Sequence, residues 1–237
     1  MFLKKALLTA FPLLMVLVAC QGFAQSPAPG VGTISPMRQI YVQDQRDRGI
    51  SLTDDGKPLP ATAGDKAAAA MNWVEINKRD AERREQTHKL MSEGKLTTAQ
   101  DFHDAAYVLQ HGQNPDDYLL AHVLAVEAVV KGDETSKWIS AATLDRYLQA
   151  IGKSQVFGTQ YTGRDFLFFM LHKNDPDAIK NHKSEPGTTQ QPYDDSLIPD
   201  PIRLDFCVPV RAQQEENLKV FNSGKYPEHM TPPGCTR

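Results

Sequence analysis

The chain has 237 residues, 41% hydrophobic and 23% charged, with 26 Lys and Arg residues against 29 Asp and Glu residues and a formal net charge of −3. This length supplies one hydrophobic core of ordinary size and does not require a second domain. The basic residues between 78 and 84 alternate with acidic ones, so they do not form the positive stripe that a polyanion needs. We therefore expect no nucleic-acid partner.

The N-terminal segment 1–24 has the pattern of an export signal. Two lysines precede an apolar run over residues 6–18, which is too short to span a hydrocarbon core of ~30 Å. Leu-Val-Ala-Cys at 17–20 is a lipobox, which directs cleavage before Cys20 and lipid attachment to its thiol. Gly-Phe-Ala at 22–24 also suits ordinary signal cleavage, so the two processing routes stay open as alternatives.

An export signal sets expectations for the rest of the chain. We expect a tether over residues 25–36 and a single mainly helical domain over residues 37–237. The mature protein is then expected at the periplasmic face of a bacterial membrane, on the outer membrane if it is lipidated, or secreted. A lipid anchor would be its only contact with the membrane.

Three cysteines occur in the chain. If Cys20 carries a lipid or is removed with the signal, Cys207 and Cys235 are left as a pair. In an oxidising compartment such a pair is expected to form a disulfide, which would hold the C-terminal segment.

Four consecutive helices with clear start and stop signals are predicted in the middle of the chain. Short turns between them indicate antiparallel helical hairpins in a stack, tetratricopeptide- or Sel1-like at most, because no signature residues repeat. The predicted limits are Asp65 (cap) to Met91, a capping box at 97–100 to Gly112, Asn114 (cap) and Pro115 to Gly132, and Ser136 to Ile151.

The third of these helices carries an apolar stripe. Leu119, Val123, Val126 and Val130 recur at helical spacing. We expect this stripe to face the core.

The sequence beyond Gly152 changes character. Residues 155–161 and 165–171 are apolar segments on either side of Thr-Gly-Arg at 162–164, which predicts a small β-hairpin. The segment 173–200 is rich in Pro, Asp, Ser and Thr, which is typical of a long surface loop. A final helix is predicted over residues 212–222.

Several short segments resemble a bacterial family of unknown function. They are Asp-Gln-Arg-Asp-Arg at 44–48, Gln-His at 110–111, Ala-Thr-Leu-Asp-Arg at 142–146, Gln-Val-Phe-Gly-Thr-Gln at 155–160 and Arg-Leu-Asp-Phe-Cys-Val-Pro at 203–209. The resemblance extends over residues 39–226, and the chain is similar to an uncharacterised exported subgroup with Asp-Gln, Gln-His, Asp-Arg and Gly-Thr-Gln motifs. Thr143 stands where the family usually has an aromatic residue. The resemblance implies no particular reaction.

Five polar residues at element ends are candidates for a functional site. His111 is a candidate general base, and Asp145 is a candidate orienter of His111 or an acid. Arg146, Thr159 and Gln160 are candidate ligand-binding residues. Structural roles compete with each assignment: a helix-end cap for His111, an ion pair for Asp145, and an internal hydrogen-bond hub for the Gly-Thr-Gln turn.

These residues favour a binding or interaction module with a polar site near the Gly-Thr-Gln turn, for a small polar ligand or a protein partner. The alternative is a hydrolase-like enzyme that uses His111 and Asp145. Binding is preferred because the sequence contains neither an activated nucleophile motif nor a set of metal ligands at suitable spacing. We expect no metal and no cofactor.

Overall fold

The computed structural model describes residues 34–60, 71–165, 168, 176–228 and 230–235. The predicted signal segment 1–24 with Cys20 and nearly all of the predicted tether lie outside the described residues. Ile34–Arg237 forms one compact unit.

The architecture is mainly α, as predicted from the sequence. The described residues contain eight helices and one two-stranded antiparallel sheet. The helices are α1 (Pro36–Asp47), α2 (Trp73–Ser92), α3 (Ala99–Leu109), α4 (Pro115–Val130), α5 (Ser136–Ala150), α6 (Pro176–Asn181), α7 (Asp200–Asp205) and α8 (Arg211–Asn222); the strands are β1 (Thr162–Gly163) and β2 (Thr188–Thr189).

Local capping signals explain where most of the helices begin. Asn114 caps α4 by accepting a hydrogen bond from the Asp117 amide, and Pro115 is the first helical residue, both as predicted. The predicted position of the α3 capping box is wrong by one residue. The reciprocal hydrogen bonds join Thr98 and Asp101, not Thr97 and Gln100. The match between signal and structure is therefore close for the helices of the stack.

Two helical starts differ from the prediction. Helix α2 begins at Trp73 with Asn72 as its cap, whereas the predicted cap Asp65 lies outside the described residues. Helix α1 was not predicted. Its cap is Ser35, whose hydroxyl accepts a hydrogen bond from the Arg38 amide.

The helices from α3 to α5 pack in order, α3 against α4 and α4 against α5, while α1 and α2 pack on α3. The predicted core stripe of α4 is wrong, since Val123 is 53% exposed and Val130 is 75% exposed. The buried face of α4 carries Ala121 and Ala125 instead. Small side chains let α4 approach two neighbouring helices closely, and the larger valines stay outside.

The small sheet forms in a different place from the predicted hairpin. Strand β1 lies in the predicted turn and pairs with β2, which follows more than twenty residues later, while most of the predicted second strand 165–171 lies outside the described residues. Residues 155–161 form a loop: Gln155 makes an isolated backbone bridge to Tyr193, and beyond it side chains bind the backbone groups of Val156 and Phe157. The predicted loop 173–200 contains α6 and β2.

A second, smaller core lies beside the stack and joins it to the C-terminal segment. It contains Ala141, Val156, Phe157 and Val208. Cys207 and Cys235 lie at disulfide distance with their Cα atoms 5.6 Å apart, which confirms the predicted pairing. The predicted final helix is confirmed as α8. Among the described residues, no helix combines the length and apolar character required to cross a membrane.

Candidate functional site

A cavity of about 870 Å³ lies between the ends of α1 and α3, helices α2 and α5, and strand β1. We call it the Arg146 cavity. Its polar lining comes mainly from Arg48, Asp80, His111, Arg146, Gln149 and Gln160, and its aromatic lining from Trp73, Tyr118 and Tyr161.

Three of the five predicted candidates line this cavity, namely His111, Arg146 and Gln160. The other two, Asp145 and Thr159, do not line it and instead bond to each other. The predicted pairing of His111 with Asp145 is therefore wrong, as the contacts of the two residues show.

The carboxylate at His111 is Asp44 and not Asp145. His111 follows the end of α3, and its Nδ1 lies 3.1 Å from Asp44 Oδ1 on α1. Asp44 is fully buried. Burial lowers the pKa of His111, and the nearby Asp44 charge offsets part of this effect. Nε2 of His111 has no partner among the described residues, so the ring is held by one nitrogen.

A network of ion pairs lies behind His111, between α1 and α2. Arg48 Nη1 donates to Asp44 Oδ1 at 2.9 Å, and its Nη2 donates to Asp80 Oδ2 at 2.7 Å. Arg83 Nη1 donates to Asp80 Oδ1 at 2.9 Å. Both Asp80 oxygens are therefore occupied, although Asp80 lines the cavity.

The same network extends outward to Asp47, which pairs with Arg83 and, at 2.7 Å, with Arg79. The network thus has equal numbers of carboxylates and guanidinium groups. Its members are Asp44, Asp47 and Asp80 with Arg48, Arg79 and Arg83. Its charges cancel.

Arg146 differs from these arginines because no carboxylate of the described residues pairs with it. Its Nη1 donates to the Gln110 carbonyl at 3.2 Å, and its guanidinium lies 5.9 Å from the centre of the Tyr118 ring. Its Nε is buried and has no hydrogen-bond partner in the described part of the chain. Burial lowers the pKa of Arg146, but a guanidinium stays protonated at any physiological pH.

Gln149 is the second unpartnered donor of the cavity wall. It follows Arg146 by three residues on α5, so the two side chains lie on one face of the helix. Gln149 is only 7% exposed, and its Nε2 has no partner in the described structure. Buried polar groups normally have hydrogen-bond partners, so two unpartnered donors on one wall indicate that this wall lacks an acceptor.

The environment of Asp145 is the opposite, because its side chain is fully bonded. We call Asp145 and the turn that it binds, residues 155–160, the Asp145 hub. Its carboxylate accepts hydrogen bonds from the amides of Val156, Phe157 and Thr159 at 2.8 to 2.9 Å, and from the Thr159 hydroxyl at 2.8 Å. Burial raises the pKa of Asp145, and these hydrogen bonds offset part of the rise. Asp145 therefore ties α5 to the turn by hydrogen bonds to amides, not by the predicted ion pair.

Other side chains hold the same turn from its far side. Arg203, fully buried, donates to the carbonyls of Val156 and Phe157 at 3.0 and 2.6 Å. Gly158 has a φ of 81°, and a Cβ built on it would overlap Gln214 Oε1. The turn is an internal hydrogen-bond hub, and its rigid backbone holds Gln160 at the cavity.

Thr159 and Gln160 differ in what they leave free. The Thr159 hydroxyl donates to Asp145 and accepts from Gln160 Nε2 at 3.0 Å, so it is used inside the protein. Gln160 Nε2 also donates to the Ala142 carbonyl at 3.1 Å. The backbone carbonyl of Gln160 accepts a hydrogen bond from Gln155 Nε2, so its side-chain Oε1 is the group without a partner in the described residues.

Sequence reasoning missed Asp44, Arg48, Asp80 and Gln149 as site residues. The Asp44 and Arg48 pair at i, i+4 was a usable signal, and so was the position of Gln149 three residues after Arg146.

Within the described residues, no group of three or more His, Cys, Asp or Glu side chains is arranged to hold a metal ion. Comparison with protein-family models, with curated proteins and with solved structures finds no match.

Proposed function

We propose that the protein is an exported binding module that holds a small polar ligand in the Arg146 cavity. The observation that carries this proposal is the environment of Arg146, a half-buried guanidinium with no carboxylate partner and a buried, unpartnered Nε among the described residues. Leaving such a group buried costs free energy that a bound ligand would recover. The cavity volume of about 870 Å³ is within the range of small-molecule sites.

Blocking the cavity tests this proposal. Ala150, at the end of α5, lines the cavity, and Ala212 on α8 is an exposed alanine far from it in sequence. We expect polar compounds of at least one charge class to raise the melting temperature of the wild type and of Ala212→Phe, but not of Ala150→Phe. Screening neutral, cationic and anionic compounds by thermal shift measures this, and a panel without any cavity-dependent shift would overturn the proposal.

The alternative function is hydrolase-like catalysis, and one observation favours it. Asp44 binds Nδ1 of His111 and leaves Nε2 free among the described residues, which is how a carboxylate positions a general base. In this alternative His111 would accept a proton from an attacking water, and Asp44 would take the role first given to Asp145. Hydrolysis of ester or phosphoester substrates should then vanish in His111→Ala and persist in His122→Ala, whereas equal rates in both variants would count against catalysis.

The export of the protein and its lipid anchor at Cys20 are part of the same proposal. The lipobox at 17–20 and the disulfide-distance pair of Cys207 and Cys235 support them, because disulfides persist in oxidising compartments. Membership of the bacterial family described above also stays a proposal. The intact mass of protein from a membrane fraction should include a diacylglyceryl group on Cys20, and a soluble form that begins at Gln25 would contradict lipidation.

A further inference from the structure

We infer that the ligand of the Arg146 cavity is a small oxyanion, a molecule with a carboxylate or phosphate group that binds Arg146 and Gln149. This inference rests on the proposed binding function and specifies the chemical class of its ligand. Its basis is the balance of charge and of hydrogen-bond donors around the cavity.

The charge balance leaves Arg146 as a surplus cation. The network behind His111 pairs Asp44, Asp47 and Asp80 with an equal number of arginines. Arg84, the next arginine of α2, pairs with Asp117 at 3.6 Å. The nearby aspartates are thus already paired, no carboxylate of the described residues lies within ion-pair distance of Arg146, and a charge in a partly desolvated site requires a counter-charge.

The donors on the cavity wall also match an oxyanion. An arginine has only donors, and its planar fork fits the oxygen pairs of carboxylates and phosphates. Gln149 adds an unpartnered Nε2 three residues along the same helix face. One ligand group with several acceptor oxygens can satisfy both.

One residue of the cavity lining, Asp80, could repel an anion, and its charge is already compensated. Asp80 lines the cavity, but its oxygens accept hydrogen bonds from Arg48 and Arg83, which cancel its charge. His111 adds no negative charge to the cavity; burial lowers its pKa, and the charges of Arg48 and Arg146 act in the same direction against that of Asp44. A cationic ligand would meet Arg146, and Asp80, the one carboxylate among the described residues that line the cavity, is already paired.

Isothermal titration calorimetry at constant ionic strength tests the inference on the full mature protein. The probes are inorganic phosphate and citrate as oxyanions, glucose as a neutral polar compound and spermidine as a cation. We expect an oxyanion to bind the wild type, with phosphate and citrate separating the two source chemistries. Arg146→Gln should weaken this binding on the order of tenfold or more, because a charge-assisted hydrogen bond is lost. Gln149→Leu should weaken it several-fold.

Arg211→Gln is the matched control, because Arg211 pairs with Asp195 and Glu215 at the surface and does not line the cavity. It should bind the oxyanion as the wild type does. Equal affinities of Arg146→Gln and Arg211→Gln would overturn the inference, as would binding of glucose or spermidine alone. If only glucose or spermidine binds and Ala150→Phe abolishes this binding, the proposed binding function stands although the oxyanion inference does not. If Arg146→Gln does not fold, Gln149→Leu and Ala150→Phe decide, and unchanged oxyanion binding in both overturns the inference.

Discussion

Asp145 and Arg146 are neighbours in sequence, yet α5 places them in two opposite environments. Asp145 is fully buried, and its carboxylate accepts four hydrogen bonds from the turn of the hub. Arg146 makes one hydrogen bond to a carbonyl and leaves its Nε without a partner in the described chain. Consecutive helical residues differ by about 100° in direction, so one points into the hub and the other into the cavity.

A charged group that the fold has fully bonded can be separated in this way from one that it leaves available to a ligand. In the hub, the hydrogen bonds of the Asp145 carboxylate all go to the turn. Arg203 and Gln190 also bind this turn, by donating to its backbone carbonyls. At the cavity, the aspartates and arginines of the network behind His111 pair with one another, and Arg146 has no carboxylate partner among the described residues. We therefore expect the hub to contribute mainly to stability and the cavity to the proposed ligand binding, and substitutions in the two regions should differ accordingly.

The largest effect is expected for Asp145→Asn. The new amide group would face the Thr159 N–H and hydroxyl, which now donate to Asp145 Oδ2. Because buried donors would lose their acceptor, we expect the free energy of unfolding to fall by ~3 kcal/mol or more. Denaturant titration measures the loss, with Asp205→Asn, an exposed residue of α7, as the control expected near zero. An Asp145→Asn protein of unchanged stability that no longer binds ligand would place the hub in the functional site.

A smaller effect is expected from the turn glycine of the hub. Gly158 and Gly152 both have positive φ, at 81° and 73°, so alanine at either position costs about 1 kcal/mol of backbone energy. A Cβ at Gly158 would also overlap Gln214 and lie 2.6 Å from the Tyr193 hydroxyl, whereas nothing lies within 4 Å of one at Gly152. Gly158→Ala should therefore lower the melting temperature clearly more than Gly152→Ala. Equal shifts would mean that the turn is less tightly enclosed than its contacts imply.

The cavity side should show a weaker effect that depends on pH. The pKa of His111 is lowered in the folded protein, so below pH ~6.5 the unfolded chain binds a proton that the folded protein does not. The contribution of His111 is thus fully present above pH ~6.5, and stability decreases as the pH falls, by no more than ~1.4 kcal/mol per pH unit for one proton. His111→Gln should flatten the pH dependence of the unfolding free energy between pH 5 and 7. An equal slope in the variant would show that other groups dominate this range.

The sequence predicted the stack better than the contacts of its charged residues. Asn114 and Pro115 act on their own helix, so they mark the start of α4 without information on the rest of the fold. The pairing of His111 with Asp44 spans 67 positions, and no local pattern selects Asp44 over Asp145 as the partner. The place of the small hairpin was not predicted for a similar reason: β1 pairs with β2 some twenty-five positions away, and the partners of the turn at 155–160 include side chains such as Asp145 and Arg203 from distant segments.

The smallest effect on stability is expected for Arg146→Met, which has the closest matched control in the hub. Met keeps much of the side-chain volume and removes a desolvated cation without a carboxylate partner among the described residues, while one bond to the Gln110 carbonyl is lost. These terms oppose each other, so the free energy of unfolding should change by less than ~1 kcal/mol. Arg203→Met should cost ~3 kcal/mol or more, because three hydrogen bonds are lost and the Val156 carbonyl is left buried without this donor, although Phe157 keeps two others. Chemical denaturation of the two variants side by side decides the comparison: if Arg146→Met destabilises as much as Arg203→Met, Arg146 belongs to the structural network and the cavity loses the residue on which its ligand would depend.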